Sequence, residues 1–247
     1  MKTLLIGGTG FSDMDYLEEV KPTSMRTPFG GTTIYLGQYR GSEAGFLARH
    51  GMHHEMLAPQ VNYRANIWAA HQLGFQVVLG TSAVASLQTP IAVGDLVLPD
   101  QLVDFSKHRA DSFFLRSVPM TNPFSTGLRD LIIQIARSRQ IPLHEQATYL
   151  TVEGPRYETA AEIRLFKSWG MDVLGMTNGT EAALCRELGL CYATIALVTN
   201  MGAGLTEQGP DLQRHRSVTQ QNLPKFKELA LASLETISAQ SQLDCEH

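Results

Sequence analysis

The 247-residue chain has few of the features that mark secreted, membrane-spanning or nucleic-acid-binding proteins. Its cysteines are Cys185, Cys191 and Cys245, without a CxxC spacing, so the sequence indicates neither a disulfide framework nor a cysteine zinc site. We expect buried, reduced thiols. The first apolar run, Leu4–Ile6, is too short for a signal peptide, and no stretch approaches transmembrane length. Because a net charge of -4 gives no general attraction to nucleic acid or an anionic membrane, we expect a cytoplasmic protein with neither partner.

Interdomain linkers are also missing, because no stretch is rich in proline and serine or in charge. Hydrophobic residues make up 43% of the chain and charged residues 18%, which is enough for a large core and gives no sign of disorder. A chain of this length can form one large α/β domain. Residues 1–247 are therefore predicted to be a single domain.

Three polar clusters follow short apolar runs in the C-terminal half. The clusters are Glu153–Thr159, Thr177–Glu181 and the segment that begins at Asn200. Two segments of helical period separate them, as expected for strands that alternate with helices. Strands of an open α/β sheet place their ligands just past their carboxyl ends. We therefore expect the three clusters to converge on one crevice.

Three predicted strands of the N-terminal half run into residues that suit an anion. They are Lys2–Ile6 followed by Gly7–Gly10, Glu43–Ala48 followed by Arg49 and His50, and Val77–Leu79 followed by Gly80–Ala83. Glycines let backbone amides approach a ligand, an arginine fork binds phosphate, and a hydroxyl adds a donor. These residue types predict an oxyanion site.

The glycines after the first strand also permit a dinucleotide-binding interpretation. Starting from Gly8, the G-x-G-x-x-G frame requires glycine where the chain has Asp13. The next strand, Thr32–Leu36, does not end in the acidic residue that would hold a ribose diol. A nicotinamide oxidoreductase is therefore the weaker hypothesis. A turn without function is another interpretation of these glycines taken alone.

A metal site is a second alternative, because His50 and His54 would share one face of a helix beside Glu55. The order His-His-Glu is not the zincin HExxH motif, and Pro59 and a nearby glycine argue against a helix here. We therefore expect no metal. A surface position is the simpler interpretation of His53.

Six ordered motifs resemble the trimeric purine nucleoside phosphorylase and methylthioadenosine phosphorylase family across nearly the whole chain. They are GGTG (7–10), ARHG (48–51), VNYRANIWA (61–69), EGPRYET (153–159), GMTNGTEA (175–182) and CYATIALVTN (191–200). The resemblance implies a single α/β domain with a mixed, barrel-like central sheet flanked by helices. It also implies a homotrimer with sites near subunit boundaries.

The reaction follows from the same resemblance. In this family, phosphate attacks C1′ of a purine nucleoside and yields the free base and ribose 1-phosphate or its 5-methylthio analogue. The chain would then be a pentosyltransferase. Its partners would be a purine nucleoside and inorganic phosphate, which is a co-substrate, and no metal or organic cofactor is expected.

The resemblance assigns the site residues position by position. The phosphate ligands would be Thr9, Arg49, His50, Ser82, the amide of Ala83 and Thr177. Met176 would lie against the ribose, Tyr157 would stack on the base, and His50 and Asn200 would have catalytic roles. A dianion held under C1′ suits a reaction in which positive charge develops on the sugar.

Two positions predict the purine. Relatives that act on 6-aminopurines have one aspartate at the position of Asn200 and a second at the position of Gly202. The Asn200 amide can accept N7–H and donate to O6, which suits a 6-oxopurine. An ionised Glu158 accepts N1–H of hypoxanthine or guanine and repels the bare N1 of adenine. We therefore expect a 6-oxopurine nucleoside.

The 5′ substituent is predicted from the start of the last long helix. Methylthio enzymes have valine where 5′-hydroxyl enzymes have histidine, and our alignment places Val218 there. This favours S-methyl-5′-thioinosine, and the whole-chain similarity to the methylthio branch agrees. His215 lies three residues upstream, so a small shift in the alignment would favour inosine or guanosine. Methylthioadenosine is a further alternative.

A nucleoside-binding protein that has kept the fold and lost turnover is the competing class. The chain retains Arg49, His50, Thr177 and Asn200. A protein that only bound nucleosides would not need the phosphate ligands. The sequence therefore favours an enzyme.

Overall fold

The computed structural model describes residues 1–11, 13–207, 209, 211–243 and 245, and this part of the chain forms one α/β domain. Its strands are β1 (Thr3–Gly7), β2 (Glu18–Thr27), β3 (Gly30–Tyr39), β4 (Ser42–Ala48), β5 (Val77–Ser86), β6 (Leu96–Val97), β7 (Gln101–Phe105), β8 (Thr148–Val152), β9 (Val173–Gly175) and β10 (Cys191–Met201). Its α-helices are α1 (Tyr63–Gln72), α2 (Thr126–Ser138), α3 (Ala160–Ser168), α4 (Asn178–Leu188) and α5 (Leu212–Ala239). The predicted α/β fold with a mixed sheet is confirmed.

The sheet branches at β5. Eight strands follow the order β2-β3-β4-β1-β5-β9-β8-β7, while β10 pairs with both β5 and β6. β5 is parallel to β1 and β10 but antiparallel to β9. Because β10 pairs with the full length of β5, β1 and β9 share the opposite edge of that strand.

The central strands are buried on both faces, which explains their nearly continuous apolar sequences. All five residues of β1 are buried, as are the first nine of β10. One face of the sheet packs against α2 and α5 through Leu128, Ile132, Phe226 and Leu234. The opposite face packs against α1 and α4 through Ile67, Ala70, Leu184 and Cys185. The loops at the strand ends are thus attached to a rigid core.

Local signals set the helix starts near the future site. The side chain of Asn62 caps α1 by accepting from the Ala65 amide, and Thr159 with Glu162 forms a capping box on α3. Helix α4 begins at Asn178, directly after Thr177. The first turn of α4 therefore starts where one of the predicted polar clusters starts.

Several strand boundaries differ from the sequence predictions. β5 does not end at Leu79 but continues to Ser86, because β10 pairs with it as far as Met201. The strand β6 is only two residues long, Leu96–Val97. The sequence analysis missed β2, whose polar sequence EEVKPTSMRT pairs with β3 at the edge of the sheet.

The expectation of three reduced thiols is wrong. Cys191 and Cys245 form a disulfide with Cα atoms 5.4 Å apart, while Cys185 is a buried free thiol. The segment after α5 returns to the start of β10 and brings together two residues separated by 54 positions. Such a long-range pairing leaves no mark in local cysteine spacing.

Within the described residues, no helix combines the length and the apolar character needed to cross a bilayer.

Candidate active site

A cavity of about 470 Å³ opens beside β5, and its volume lies in the range of small-molecule sites. Ten of the residues assigned to the site from the sequence line it: Thr9, Arg49, His50, Ser82, Ala83, Tyr157, Glu158, Met176, Thr177 and Asn200. They belong to six separate segments of the chain. The lining includes His215 but not Val218. The cavity thus brings together the predicted polar clusters of both halves.

β5 supplies Ser82 and Ala83 from the interior of a strand, and not from a loop after it as the sequence analysis expected. β1 pairs with β5 only as far as Gly80, and β9 pairs with it only from Ala85. Between these points, the described chain leaves one edge of β5 without a neighbouring strand. We call residues 81–84 the open edge of β5. The buried Ser82 hydroxyl has no hydrogen-bond partner here, so it is available to a ligand.

Arg49 is fixed at this open edge by a buried ion pair. Its Nε and Nη2 donate to the two carboxylate oxygens of Glu181 at 2.5 and 2.9 Å, and its Nη1 donates to the Thr81 carbonyl at 2.7 Å. Burial alone would lower the pKa of Arg49, but the Glu181 charge outweighs it, so the net shift is upward. Two of the five guanidinium hydrogens remain for an anion.

The same carboxylate organises a wider buried network. Tyr192 Oη and Asn178 Nδ2 both donate to Glu181 Oε2, at 2.7 and 3.3 Å. Burial, followed by the charge of Glu181, raises the pKa of Tyr192, so this phenol keeps its proton. Glu181 lies in the first turn of α4, four residues after Thr177. The network therefore links Arg49 to the segment that carries Thr177.

His50 is oriented by the loop that follows it. Its Nδ1 lies 2.9 Å from the Met56 carbonyl, and the Met56 amide donates back to the His50 carbonyl at 2.9 Å. Burial and the neighbouring Arg49 charge lower the pKa of His50 to about 4. The imidazole is therefore neutral near pH 7. The His54 ring packs against it with centroids 4.6 Å apart.

The base-binding candidates that line the cavity come from the β8–α3 loop and from the end of β10. Burial raises the pKa of Glu158 above the ordinary value of a glutamate. The Asn200 side chain accepts from Thr199 Oγ1 at 3.1 Å and donates to the Met201 carbonyl at 3.0 Å. Tyr157 is 39% exposed, which leaves much of its ring accessible to a stacking partner.

A buried arginine holds the loop after β7 against the site. Arg109 donates to the carbonyls of Met176 and Glu153 and, at 3.1 Å, to the carboxylate of Glu153. Its guanidinium also lies 5.2 Å from the centre of the Tyr63 ring. Glu153 begins the polar cluster after β8, and Met176 directly precedes the cluster after β9, so Arg109 connects these two clusters.

Two residues of α5 reach the cavity near its histidine pair. His215 and Arg216 both line it, as does His54. Burial, followed by the charges of His54 and Arg216, lowers the pKa of His215. Within the part of the chain that the structure describes, its buried Nδ1 has no hydrogen-bond partner. This end of the cavity therefore contains polar groups from α5, whereas Val218 lies outside the lining.

The sequence analysis missed the supporting roles of Glu181 and Arg109. Glu181 stands inside the GMTNGTEA motif, where an acidic residue among the small residues Gly179, Thr180 and Ala182 could have indicated a buried partner. Arg109 gave no such signal, because its acceptors are mainly backbone carbonyls from distant segments. Only the folded chain brings those carbonyls together.

Comparison with known proteins agrees with this geometry. The family model described as the phosphorylase superfamily matches residues 2–235. A probable 6-oxopurine nucleoside phosphorylase of Dictyoglomus turgidum is 38% identical, with 100% of this chain and 96% of the relative covered. The S-methyl-5′-thioadenosine phosphorylase of Pyrococcus horikoshii is also 38% identical, with coverages of 98% and 95%.

A solved structure shares the fold over nearly the whole chain. Methylthioadenosine phosphorylase from Schistosoma mansoni in complex with adenine superimposes with a TM-score of 0.91 at 30% identity, covering 97% of this chain and 92% of that one. The family match at residues 2–235 spans every residue that lines the cavity. The chain therefore belongs to the phosphorylase superfamily and is an enzyme of the nucleoside phosphorylase type.

Proposed function

We propose that this enzyme catalyses phosphorolysis of a 6-oxopurine nucleoside, with S-methyl-5′-thioinosine as the favoured substrate. The products would be hypoxanthine and 5-methylthioribose 1-phosphate. The observation that carries the proposal is one cavity lined by Arg49, His50 and Thr177 as well as by Glu158 and Asn200. A cavity that combines an oxyanion site with two side chains able to hydrogen-bond a purine suits the attack of phosphate on a nucleoside.

The purine specificity rests on hydrogen-bond matching. The Asn200 carbonyl accepts N7–H of the departing base, and its NH₂ group donates to O6. An ionised Glu158 accepts N1–H, which a 6-oxopurine has and adenine lacks. A mismatched buried donor or acceptor costs about 1–3 kcal/mol, so two such positions can dominate the choice of substrate.

The phosphate ligands would bind the attacking group of the reaction, whereas Asn200 and Glu158 would bind the leaving purine. Arg49, Ser82, Thr177, Thr9 and the Ala83 amide would hold the dianion under C1′ as the bond between C1′ and N9 breaks. The leaving base takes the bonding electron pair and gains a proton, while a phosphate oxygen forms the new bond to C1′. Donors fixed in advance stabilise this change in charge without rearranging during the reaction.

The names of the relatives give further support. The Dictyoglomus turgidum relative is named a probable 6-oxopurine nucleoside phosphorylase, and so is that of Thermococcus kodakarensis, at 41% identity. Relatives named S-methyl-5′-thioadenosine phosphorylase are 36–38% identical, which keeps methylthio nucleosides among the candidates. The substrate S-methyl-5′-thioinosine combines the base of the first group with the 5′ substituent of the second.

Inosine or guanosine is the second candidate because of one specific observation. His215 lines the cavity, and its buried Nδ1 has no hydrogen-bond partner among the described residues, whereas Val218 is outside the lining. A ring nitrogen of this kind would suit a 5′-hydroxyl group better than a thioether. The apolar side chains of Met56, Leu57 and Ala58, which also line the cavity, suit the methylthio group.

We further propose that the enzyme works in the cytoplasm as a homotrimer, with phosphate as co-substrate and without a metal or an organic cofactor. The trimer and the absence of cofactors follow from the family resemblance.

One assay tests the function. Release of free base is measured for methylthioinosine, methylthioadenosine, inosine and guanosine, each with and without inorganic phosphate. We expect phosphate-dependent turnover that is fastest with methylthioinosine, and faster with either oxopurine class than with methylthioadenosine. Nucleoside binding without turnover would establish the non-catalytic alternative. Faster cleavage of methylthioadenosine than of methylthioinosine would reject the assigned base specificity.

A further inference from the structure

His50 brings a hydrogen-bond acceptor to a site otherwise built from donors and hydroxyl groups. A carbonyl oxygen can only accept, so the 2.9 Å contact between His50 Nδ1 and the Met56 carbonyl requires a hydrogen on Nδ1. The Met56 amide also donates a hydrogen bond to the His50 carbonyl, and this second bond fixes the loop that carries the Met56 carbonyl. The orientation of the ring is therefore set by two reciprocal bonds.

The ring cannot readily carry a second proton. Burial lowers the pKa of His50 far below neutrality, to about 4, and the positive charges of Arg49 and Arg109 lower it further. The ring of His54 lies against that of His50. In a neutral imidazole with hydrogen on Nδ1, the second nitrogen Nε2 has a lone pair and no hydrogen.

The other groups assigned to the anion differ in kind. The Arg49 guanidinium and the Ala83 amide can only donate, and the hydroxyls of Thr9, Ser82 and Thr177 can do either. Each of them can pair with an oxygen that has no hydrogen. His50 Nε2 pairs only with an oxygen that has one.

We propose that His50 is a specificity-determining residue that selects an oxyanion carrying an O–H group, such as hydrogen phosphate, over fully deprotonated tetrahedral anions such as sulfate. This inference rests on the proposed function, because it assumes that the cavity holds the phosphate co-substrate. Hydrogen phosphate donates its P–O–H to Nε2. Sulfate has the same charge and nearly the same shape, but it sets a lone pair against the lone pair of Nε2.

Four anions test this selection. Phosphate and arsenate carry an O–H group at neutral pH, whereas sulfate and monofluorophosphate do not. Calorimetric titration of the full-length enzyme at pH 7 gives each dissociation constant, and competition against phosphate in the base-release assay gives the inhibition constants. We expect sulfate and monofluorophosphate to bind about 10- to 100-fold more weakly than phosphate, with arsenate close to phosphate. Equal affinity for sulfate and phosphate would overturn the proposal.

Substitution of His50 provides a second test. In the His50→Gln variant the side chain can turn an NH₂ group toward the anion, so the preference for phosphate over sulfate should fall to about threefold or less. The matched control is His53→Gln, because His53 is exposed and is not among the residues that line the cavity. An unchanged preference in His50→Gln, or an equal loss in His53→Gln, would contradict the assigned role.

The tautomer can also be observed directly, without any substitution. Nitrogen NMR of the histidine-labelled enzyme at pH 7 should show His50 with hydrogen on Nδ1 and none on Nε2. Detection of the Nε2–H tautomer or of the imidazolium would reject the proposal even if the variant does not fold. If none of the four anions binds and base release does not depend on phosphate, the phosphate site itself fails, and the proposed function fails with it.

Discussion

The guanidinium of Arg49 and the carboxylate of Glu181 form a bidentate ion pair with contacts of 2.5 and 2.9 Å, and the two side chains are only 1% and 3% exposed. Glu181 also accepts from Tyr192 and Asn178. A buried charge that loses its partner is strongly destabilising, because nothing then compensates its removal from water. The pair therefore links the stability of the fold to the orientation of the guanidinium that we propose as a phosphate ligand.

Replacing Glu181 by glutamine tests this link. Glu181→Gln keeps the size of the side chain but leaves Arg49 as a buried, uncompensated charge, so the free energy of unfolding should fall by about 3–5 kcal/mol. Urea denaturation followed by circular dichroism measures the change. The control is Glu145→Gln, whose partner Arg137 is 69% exposed, and it should leave stability nearly unchanged. Equal effects of the two substitutions would contradict the importance of the buried pair.

A conservative change at Arg49 separates phosphate binding from nucleoside binding. Alanine at this position would leave the buried Glu181 carboxylate without its ion-pair partner. Lysine is the better substitution, because it keeps the positive charge and removes only the bidentate guanidinium. We expect the KM for phosphate in Arg49→Lys to rise at least about tenfold, with a smaller change in the KM for the nucleoside. Initial rates measured over a matrix of both substrates give the two constants. A normal phosphate response would remove Arg49 from the site.

Asn200→Asp should shift the base preference toward 6-aminopurines. A carboxyl group at this position can protonate N7 of adenine, whereas the ionised carboxylate repels O6 of an oxopurine. The ratio of kcat/KM for methylthioinosine to that for methylthioadenosine should fall by about tenfold, and the overall rate should decrease. Asn222→Asp is the control, because Asn222 bonds to the Val218 carbonyl within α5 and is outside the cavity lining. Unchanged selectivity in Asn200→Asp would contradict the assigned role.

The selectivity for oxopurines should depend on pH through Glu158. Burial raises the pKa of this carboxyl group, so it takes up a proton at a higher pH than an ordinary glutamate. The ionised form accepts N1–H, and the protonated form instead donates to the bare N1 of adenine. The preference for the 6-oxopurine is therefore fully present above the pKa of Glu158 and decreases as the pH falls through it.

Measuring the same kcat/KM ratio from about pH 8 down to about pH 5 checks this dependence. Glu158→Gln, which does not titrate, should have a lower and nearly constant ratio over the range. If the wild-type ratio of methylthioinosine to methylthioadenosine rises as the pH falls, Glu158 does not accept N1–H of the base.

The disulfide between Cys191 and Cys245 should stabilise the enzyme under oxidising conditions. Closing a loop of this length restricts the unfolded chain and is worth about 4 kcal/mol in the chain-entropy treatment. Cys245→Ser should lower the free energy of unfolding by an amount of this order. A reductant should lower the stability of the wild type but leave that of the variant unchanged. Equal sensitivity of both proteins to the reductant would place its effect elsewhere.

Sequence patterns predicted the elements that carry a strong local signal. The apolar run of β1 predicted a buried strand, and the apolar run that precedes Asn200 predicted β10. The family motifs predicted which side chains would meet, and ten of them line one cavity. Their roles in binding and catalysis stay predictions.

The remaining features depend on long-range pairing. The continuation of β5 to Ser86 requires the partner strand β10, which lies more than a hundred residues later. The same is true of the contact of Arg109 with the Met176 carbonyl and of the Cys191–Cys245 disulfide. At Val218 the difficulty was the helix itself, because residues three positions apart lie on the same face of a helix, and of this pair His215 lines the cavity whereas Val218 does not.

The open edge of β5 has a consequence for the evolution of this enzyme. Its backbone, which we propose faces the phosphate, belongs to a strand that β10 holds along its whole length, so this side of the pocket cannot widen by a loop rearrangement. A nucleophile bulkier than phosphate would require the separation of β5 from β10 or a shift of their register, and either change would disturb the centre of the core. New activities in this scaffold should therefore arise by exchanging the group that leaves the sugar, and not by accepting a bulkier attacking group.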